Sequence, residues 1–342
     1  MTSWIECVPN FSDGRNPFIV NAIASEVEQT SGVFLLDVDS GKDANRTVIT
    51  FAGSPDSVLE AAFRTASRAA DLIDMTLQKG EHMRLGAMDV CPFVPLHNAS
   101  MEECAGLARK LGKQMGDDLG IPVYLYGEAA SIPERRDLAH IRSGQYEGLK
   151  DKLKKSDGKP DFGPSKFNAK SGAFTVGARD FLIAFNINLD TKNVQTAKAI
   201  AATIRESGTW IKTAHGNKVR KPGLFKACKA VGWIMESFGC AQVSTNLTDF
   251  HITPPHVVYE ACVRIAASFG TRITGSELVG LIPLEAILTS GRYYMESESA
   301  TEENLINAAV KSLGLDTLRP FNPHKKILEY RLRSLIPDWP NE

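Results

Sequence analysis

Two successive β-α-β-β-α-β runs, separated by a stretch rich in Gly, Pro, Ser and charge, predict an α/β (α+β) chain built from two ferredoxin-like subdomains. The length, 342 residues, agrees, because it exceeds what one hydrophobic core usually serves. A sheet with helices on one side leaves its other side to be covered. The two sheets are therefore expected to pack face to face with helices outside, and a cleft between the halves is the natural place for a ligand. The expected boundaries are 1–178 for the first subdomain with its linker, 179–330 for the second, and 331–342 for a tail.

In the first run, Trp4 to Pro9 reads as a strand. Pro17 to Thr30 reads as a helix, because Phe18, Ile19, Ala22, Ile23 and Val27 recur at helical spacing. Val33 to Asp39 and Thr47 to Gly53 are strands joined by Ser40-Gly41-Lys42-Asp43-Ala44-Asn45, a loop composition. Ser54-Pro55 opens a helix to about Met75, with serine at the N-cap and proline in the first turn. Met88 to Pro95 is a strand. Ser100-Met101-Glu102-Glu103 fits a capping box for a helix ending near Leu119, and Pro122 to Tyr126 is the last strand of the set.

Residues 127–178 show little regular pattern and read as a linker, although the aromatic and glycine content of Asp161 to Gly172 implies that part of it is ordered. The second run follows. Phe181 to Leu189 is a strand, Thr191 to Glu206 a helix, and Phe225 to Ser237 and Ala241 to Phe250 are strands turning at Phe238-Gly239-Cys240. His256 to Phe269 is a helix, Ile273 to Leu281 a strand and Pro283 to Met295 a helix. The basic run Lys218 to Lys226 reads as a solvated hairpin.

Composition narrows the function. Apolar residues are 43% and charged residues 23%, with a formal net charge of −1, so nothing marks a generic nucleic-acid or membrane-surface binder. No apolar run reaches the length of about 18 residues that a membrane span needs, and the N-terminus lacks the pattern of a secretory signal. Six scattered cysteines without a C-x-x-C pair fit reduced thiols and a cytoplasmic location. The seven histidines show no ligand spacing, so no metal is expected. No Walker loop, dinucleotide fingerprint or zinc signature is present.

The most informative stretch is Lys79-Gly80-Glu81-His82-Met83-Arg84-Leu85-Gly86-Ala87-Met88-Asp89-Val90-Cys91-Pro92-Phe93. It sets a histidine among charged residues, between glycines, immediately before a strand. Imidazole both takes and gives protons near neutral pH, though a charged loop also suits an ordinary surface histidine. Cys91 invites a nucleophile reading, but its apolar neighbours favour an inert buried thiol.

This stretch, together with Glu6-Cys7-Val8-Pro9-Asn10-Phe11-Ser12, Leu36-Asp37-Val38-Asp39, Asn45-Arg46-Thr47-Val48, Tyr124 to Ala129, Asp161 to Ser165, Phe181 to Leu189, Ala241 to Leu247 and Gly275 to Pro283, resembles the glutamate formimidoyltransferase family. That folate-dependent enzyme of histidine breakdown is, in animals, the N-terminal part of formimidoyltransferase-cyclodeaminase. The resemblance covers roughly residues 4 to 330. It implies two α/β subdomains with facing sheets, His82 as catalytic acid/base, and folate binding by Gly163, Pro164, Ser165, Lys166, Phe167, Asn168, Ala169, Lys170, Ser171 and Gly172. It suggests a homodimer. With the chain stopping at Glu342, a cyclodeaminase is expected only as a separate protein.

The implied reaction moves a formimino group from N-formimidoyl-L-glutamate to N5 of tetrahydrofolate. Asp39 is a candidate to orient His82 or stabilise the amidinium cation, and otherwise a turn-forming aspartate. Arg46 and Arg84 are candidates for the substrate carboxylates, which a guanidinium fork suits, against a reading as surface ion pairs. Phe162 and Phe167 are candidates to stack on the pterin, and Lys166 and Lys170 to meet the glutamate tail. Asn186, Asn188 and Asn246 lie on apolar strands, where buried amides need partners. The competing activity is a 5-formyltetrahydrofolate cyclo-ligase or formyltransferase in the same cleft, since formyl and formimino differ only by O against NH.

Overall fold

In the computed structural model the described residues are 3–213, 216–295, 299–337 and 339. Residues 338 and 340–342 of the expected tail lie outside them. The chain divides into two units, Met1–Asp180 and Phe181–Glu342, each with its own hydrophobic core.

The first unit runs β1 (Trp4–Cys7), β2 (Asn10–Phe11), α1 (Pro17–Glu28), β3 (Val33–Gly41), β4 (Arg46–Gly53), α2 (Pro55–Leu72), β5 (Met88–His97), α3 (Met101–Asp118) and β6 (Val123–Gly127). A 3₁₀ turn (Pro133–Arg136) then leads to α4 (Leu138–Ile141), α5 (Gln145–Lys152) and β7 (Phe174–Ala178). β1 and β2 act as one strand interrupted at Val8-Pro9, and both lie between β4 and β5 with antiparallel pairing. Outside β4 lies β3, which gives the order of a ferredoxin-like unit.

The alanine-rich inner face of α2 (Ala61, Ala62, Ala66 and Ala69) is fully buried in the core with Phe51 and Phe93. At α3 the Ser100 side chain accepts from the Glu103 amide at 3.1 Å, as the capping pattern predicts. Ser54 occupies the N-cap of α2 but makes no capping hydrogen bond; its hydroxyl donates to Ser57 instead.

Residues 127–178 depart furthest from the expectation of a linker. They carry three short helical segments and β7, which inserts between β5 and β6 and pairs with both in parallel. β7 is buried along its whole length, as a central parallel strand must be. Such a strand shows no alternation, and Phe-Thr-Val-Gly-Ala is too short to announce itself. The segment also covers sheet surface that the predicted one-sided layering leaves bare. Leu125 and Val123 of β6 face the main core, while Tyr124 and Tyr126 join Ile141, Leu149 and Leu153 in a separate apolar cluster.

The second unit contains β8 (Ile183–Leu189), α6 (Val194–Ile204), β9 (Thr209–Lys212), β10 (Lys218–Lys221), β11 (Cys228–Met235), β12 (Cys240–Leu247), α7 (Pro255–Ser268), β13 (Ile273–Val279) and α8 (Leu284–Tyr294). It continues through α9 (Glu302–Ser312), α10 (Pro323–Lys326) and α11 (Leu328–Leu335). Its antiparallel sheet has the order β11-β12-β8-β13, the same permutation as the first unit's βαββαβ strands. The basic run does form part of an exposed hairpin, β9–β10.

Candidate active site

β4, β2 and β5 are neighbours, and each contributes one polar side chain near the same end of the sheet. Arg46 opens β4, Asn10 opens β2, and Asp89 is the second residue of β5. The Asp89 carboxylate is fully buried, and Arg46 Nη1 donates to it at 2.5 Å while Arg46 Nε donates to Asn10 at 2.9 Å. A second guanidinium arrives from the residue after α4. Arg142 Nη2 donates to the same carboxylate oxygen as Arg46, and its Nε lies 3.3 Å from the other. The Leu85 amide adds a further hydrogen bond at 2.8 Å. Burial pushes the Asp89 pKa up, but Arg142, Arg46 and His82 outweigh it and hold the carboxyl at about 2.

His82 stands beside this cluster on the loop between α2 and β5. Its Nδ1 lies 2.7 Å from the Met83 carbonyl. A carbonyl only accepts, so Nδ1 carries the proton and Nε2 holds the lone pair of the neutral ring. The ring keeps part of its surface open to solvent but is packed closely by protein. Lost hydration is the largest influence lowering its pKa to about 3; Arg46 and Arg142 add to the fall, and Asp89 and the Met83 carbonyl oppose it. At pH 7 the imidazole is neutral.

The loop is tied down on three sides. The turn before β4 holds it through Asn45, whose amide donates to Gln78 Oε1 at 2.5 Å and to the Lys79 carbonyl at 3.0 Å. α5 holds it through the Tyr146 amide on the Arg84 carbonyl and through the Arg84–Glu147 pair at 2.7 Å. The segment 168–173 holds it through backbone bonds from Met75 to Lys170 and from Ala87 to Ser171. Gly86 and Gly172 make this last contact feasible. A Cβ on Gly86 would meet the Ala173 carbonyl at 2.3 Å, and Gly172 has φ +69° with the Leu85 carbonyl 2.3 Å from its would-be Cβ.

Residues 163–172 therefore meet the histidine loop at their C-terminal end and are anchored at both ends. Gly163, at φ +75°, packs on the Ile121 carbonyl, and Asn168 folds the other end by accepting from the Ser171 amide. Between these anchors Pro164, Ser165, Lys166 and Ala169 are exposed. Lys170 donates to the Asp71 carbonyl at 2.8 Å, which gives its ammonium a structural partner. Phe167 meets Tyr146 at 5.6 Å between ring centroids. Phe162 is placed otherwise than expected: it packs on α3 at Gly112, as part of the first unit's core.

Asp39 lies on β3 opposite Val48, which pairs in turn with Asn10 of β2, and Asp89 is a carboxylate whose charge acts on His82. Arg84 Nη2 donates to Glu147 and to the Gln78 carbonyl, while its Nε is buried without a hydrogen-bond partner among the described residues. Cys91 is buried, with its sulfur 3.5 Å from that of Cys7, as suits an inert thiol. In the second unit, Gln242 donates to Asn188 Oδ1 at 2.8 Å, while Asn188 Nδ2 is buried without a hydrogen-bond partner among the described residues. Sequence reasoning assigned no role to Asp89 and missed Arg142 altogether.

Comparisons with known proteins show the family of the chain. Residues 4–179 match the family model described as formiminotransferase domain, N-terminal subdomain, and residues 184–333 match that described as formiminotransferase domain. A glutamate formimidoyltransferase of Thermoplasma acidophilum is 43% identical over 306 residues, covering 89% of this chain and 96% of the relative. One from Streptococcus pyogenes is 37% identical over 332 residues, covering 97% and 99%. The formimidoyltransferase-cyclodeaminase of Rattus norvegicus is 47% identical over 341 residues, of which this chain spans 61% of the length.

Proposed function

The chain belongs to the formiminotransferase domain family, and on that premise we propose that it transfers the formimino group of N-formimidoyl-L-glutamate to N5 of tetrahydrofolate, a step of histidine degradation. The observation that carries this reading is His82, a neutral imidazole seated beside two arginines and one buried aspartate.

The chemistry follows from that placement. N5 attacks the formimino carbon, giving a tetrahedral carbon flanked by three nitrogens. The bond from this carbon to the glutamate nitrogen then breaks. Overall, N5 gives up one proton and the departing amine gains one, so the balance closes with a single carrier. His82 Nε2 takes the proton from N5 and returns it to the leaving nitrogen, a role worth about 10²–10⁴-fold in rate. Holding both substrates in register supplies much of the rest. Asp89 fixes the arginines beside the imidazole, and Asp39 is reserved for the amidinium cation.

Tetrahydrofolate is a co-substrate in this reading, bound along residues 163–172, whose Lys170 and Ser171 carbonyls accept from the Met75 and Ala87 amides of the histidine loop and whose Pro164 to Lys166 stretch is exposed. Six free cysteines support a cytoplasmic setting. No described helix is long and apolar enough to cross a membrane. A homodimer completes the proposal. The test is a purified-protein assay of formimidoylglutamate with tetrahydrofolate, beside 5-formyltetrahydrofolate with ATP. Transfer in the first mixture supports the reading; turnover confined to the ATP mixture replaces it with the cyclo-ligase.

A further inference from the structure

One carboxylate, Asp89, serves two guanidinium groups, and each has an arm to spare. Arg46 uses Nε on Asn10 and Nη1 on Asp89, and Arg142 uses Nε and Nη2 on Asp89. No hydrogen bond runs from Arg46 Nη2 or Arg142 Nη1 to another described residue. Both side chains are nearly buried, with 8% and 10% of their surface open. With His82 neutral, two positive charges face one negative charge in a poorly hydrated place. Burial followed by the repulsion from Arg142 pulls the Arg46 pKa down to about 10, against the attraction of Asp89.

A purely structural ion pair needs only one of these arginines. A second carboxylate arriving from outside removes the surplus charge, and planar guanidinium edges receive it in a fork. We infer that Arg142 and Arg46 together form the receptor for one carboxylate of the formimino donor, with Asp89 holding the two guanidinium groups in place. The inference rests on the transfer reading above and extends it to the donor's recognition. It also gives the site a reason for its electrostatics. Among the groups facing His82 are Arg46 from β4, Arg142 from beyond α4, Asp89 from β5 and the Met83 carbonyl. A carboxylate bound to the arginines cancels much of the field that suppresses protonation of the ring. Docking of the donor thereby makes the imidazole more basic at the moment a proton has to be taken up.

The test uses the native protein with tetrahydrofolate and three donors: N-formimidoyl-L-glutamate and its two monoamides, each lacking one carboxylate. At least one amide should lose roughly 10- to 100-fold in kcat/KM. Arg142→Met should raise KM for the parent donor by a similar factor, leave KM for tetrahydrofolate unchanged, and cost nothing further on the sensitive amide. Arg142→Lys, which keeps the charge but not the fork, should recover part of the loss. Equal use of all three donors by the native protein overturns the receptor whether or not any variant folds. So does an Arg142→Met defect spread evenly over tetrahydrofolate and every donor. Failure of the native protein to transfer from any of the three donors sinks the transfer reading instead.

Discussion

Asp89 shows how much one buried charge can organise. Its carboxylate ends two guanidinium side chains and a backbone amide, so removing the charge strands two buried cations. Asp89→Asn should cost about 3–5 kcal/mol of stability, read from the midpoint of urea unfolding. The pH dependence has a definite sign. Asp89 folds with its pKa depressed to about 2, so its contribution is present above the ordinary carboxylate range and is lost as pH falls toward 2. His82 is neutral in the fold down to about pH 3, whereas in the unfolded chain it gains a proton near its usual value of about 6.5. Stability therefore falls between these two values as the medium is acidified, and His82→Gln should flatten that fall. An NMR titration adds a direct check: the His82 ring should not titrate between about pH 5 and 8 in the free protein, and Arg142→Met should move its pKa upward. Among these residues, His82 and Arg46 were legible because they sit in dense motifs that resemble a known family. Asp89 lay inside the same quoted stretch without a role, since nothing in a sequence shows which carboxylate two distant arginines will share.

At the level of elements, the site depends on how β2, β4 and β5 are brought together and on two glycines. The interruption at Val8-Pro9 lets the first strand continue as β2 beside Asp89's strand. Close approach of Gly86 to residues 171–173 then docks the histidine loop on the segment assigned to folate. Gly86→Ala should lower turnover and speed hydrogen exchange at the Ala87 and Ala173 amides, which bond across this contact. Unchanged exchange in that variant would show that the loop does not need the glycine. The strands and helices with clean periodicity, such as α2, α3 and β8, were readable to within a few residues. The segment 127–178 was not. Its order comes from long-range parallel pairing of β7 and from packing on Tyr124 and Tyr126, neither of which leaves a local pattern. Arg142 was missed for the same reason, because it stands in that segment without a motif around it.

Across the whole molecule, the same strand permutation occurs in both units, each closed by its own core, while the polar cluster around His82 belongs entirely to the first. The repeated order was visible as a succession of element types, although α9 to α11, which complete the second core, were not foreseen. The six cysteines report on both units at once. Cys240 is half-buried and the other five are buried, so a thiol reagent should modify Cys240 first and the rest only as the units unfold. Rapid modification of several thiols under native conditions would contradict the packing described.

The most direct measurement is single-turnover formimino transfer by His82→Gln, with tetrahydrofolate binding followed in parallel. The account predicts a rate lower by about 10²–10⁴-fold with binding of the folate preserved. Transfer at close to the native rate would mean that another group carries the proton between the two nitrogens.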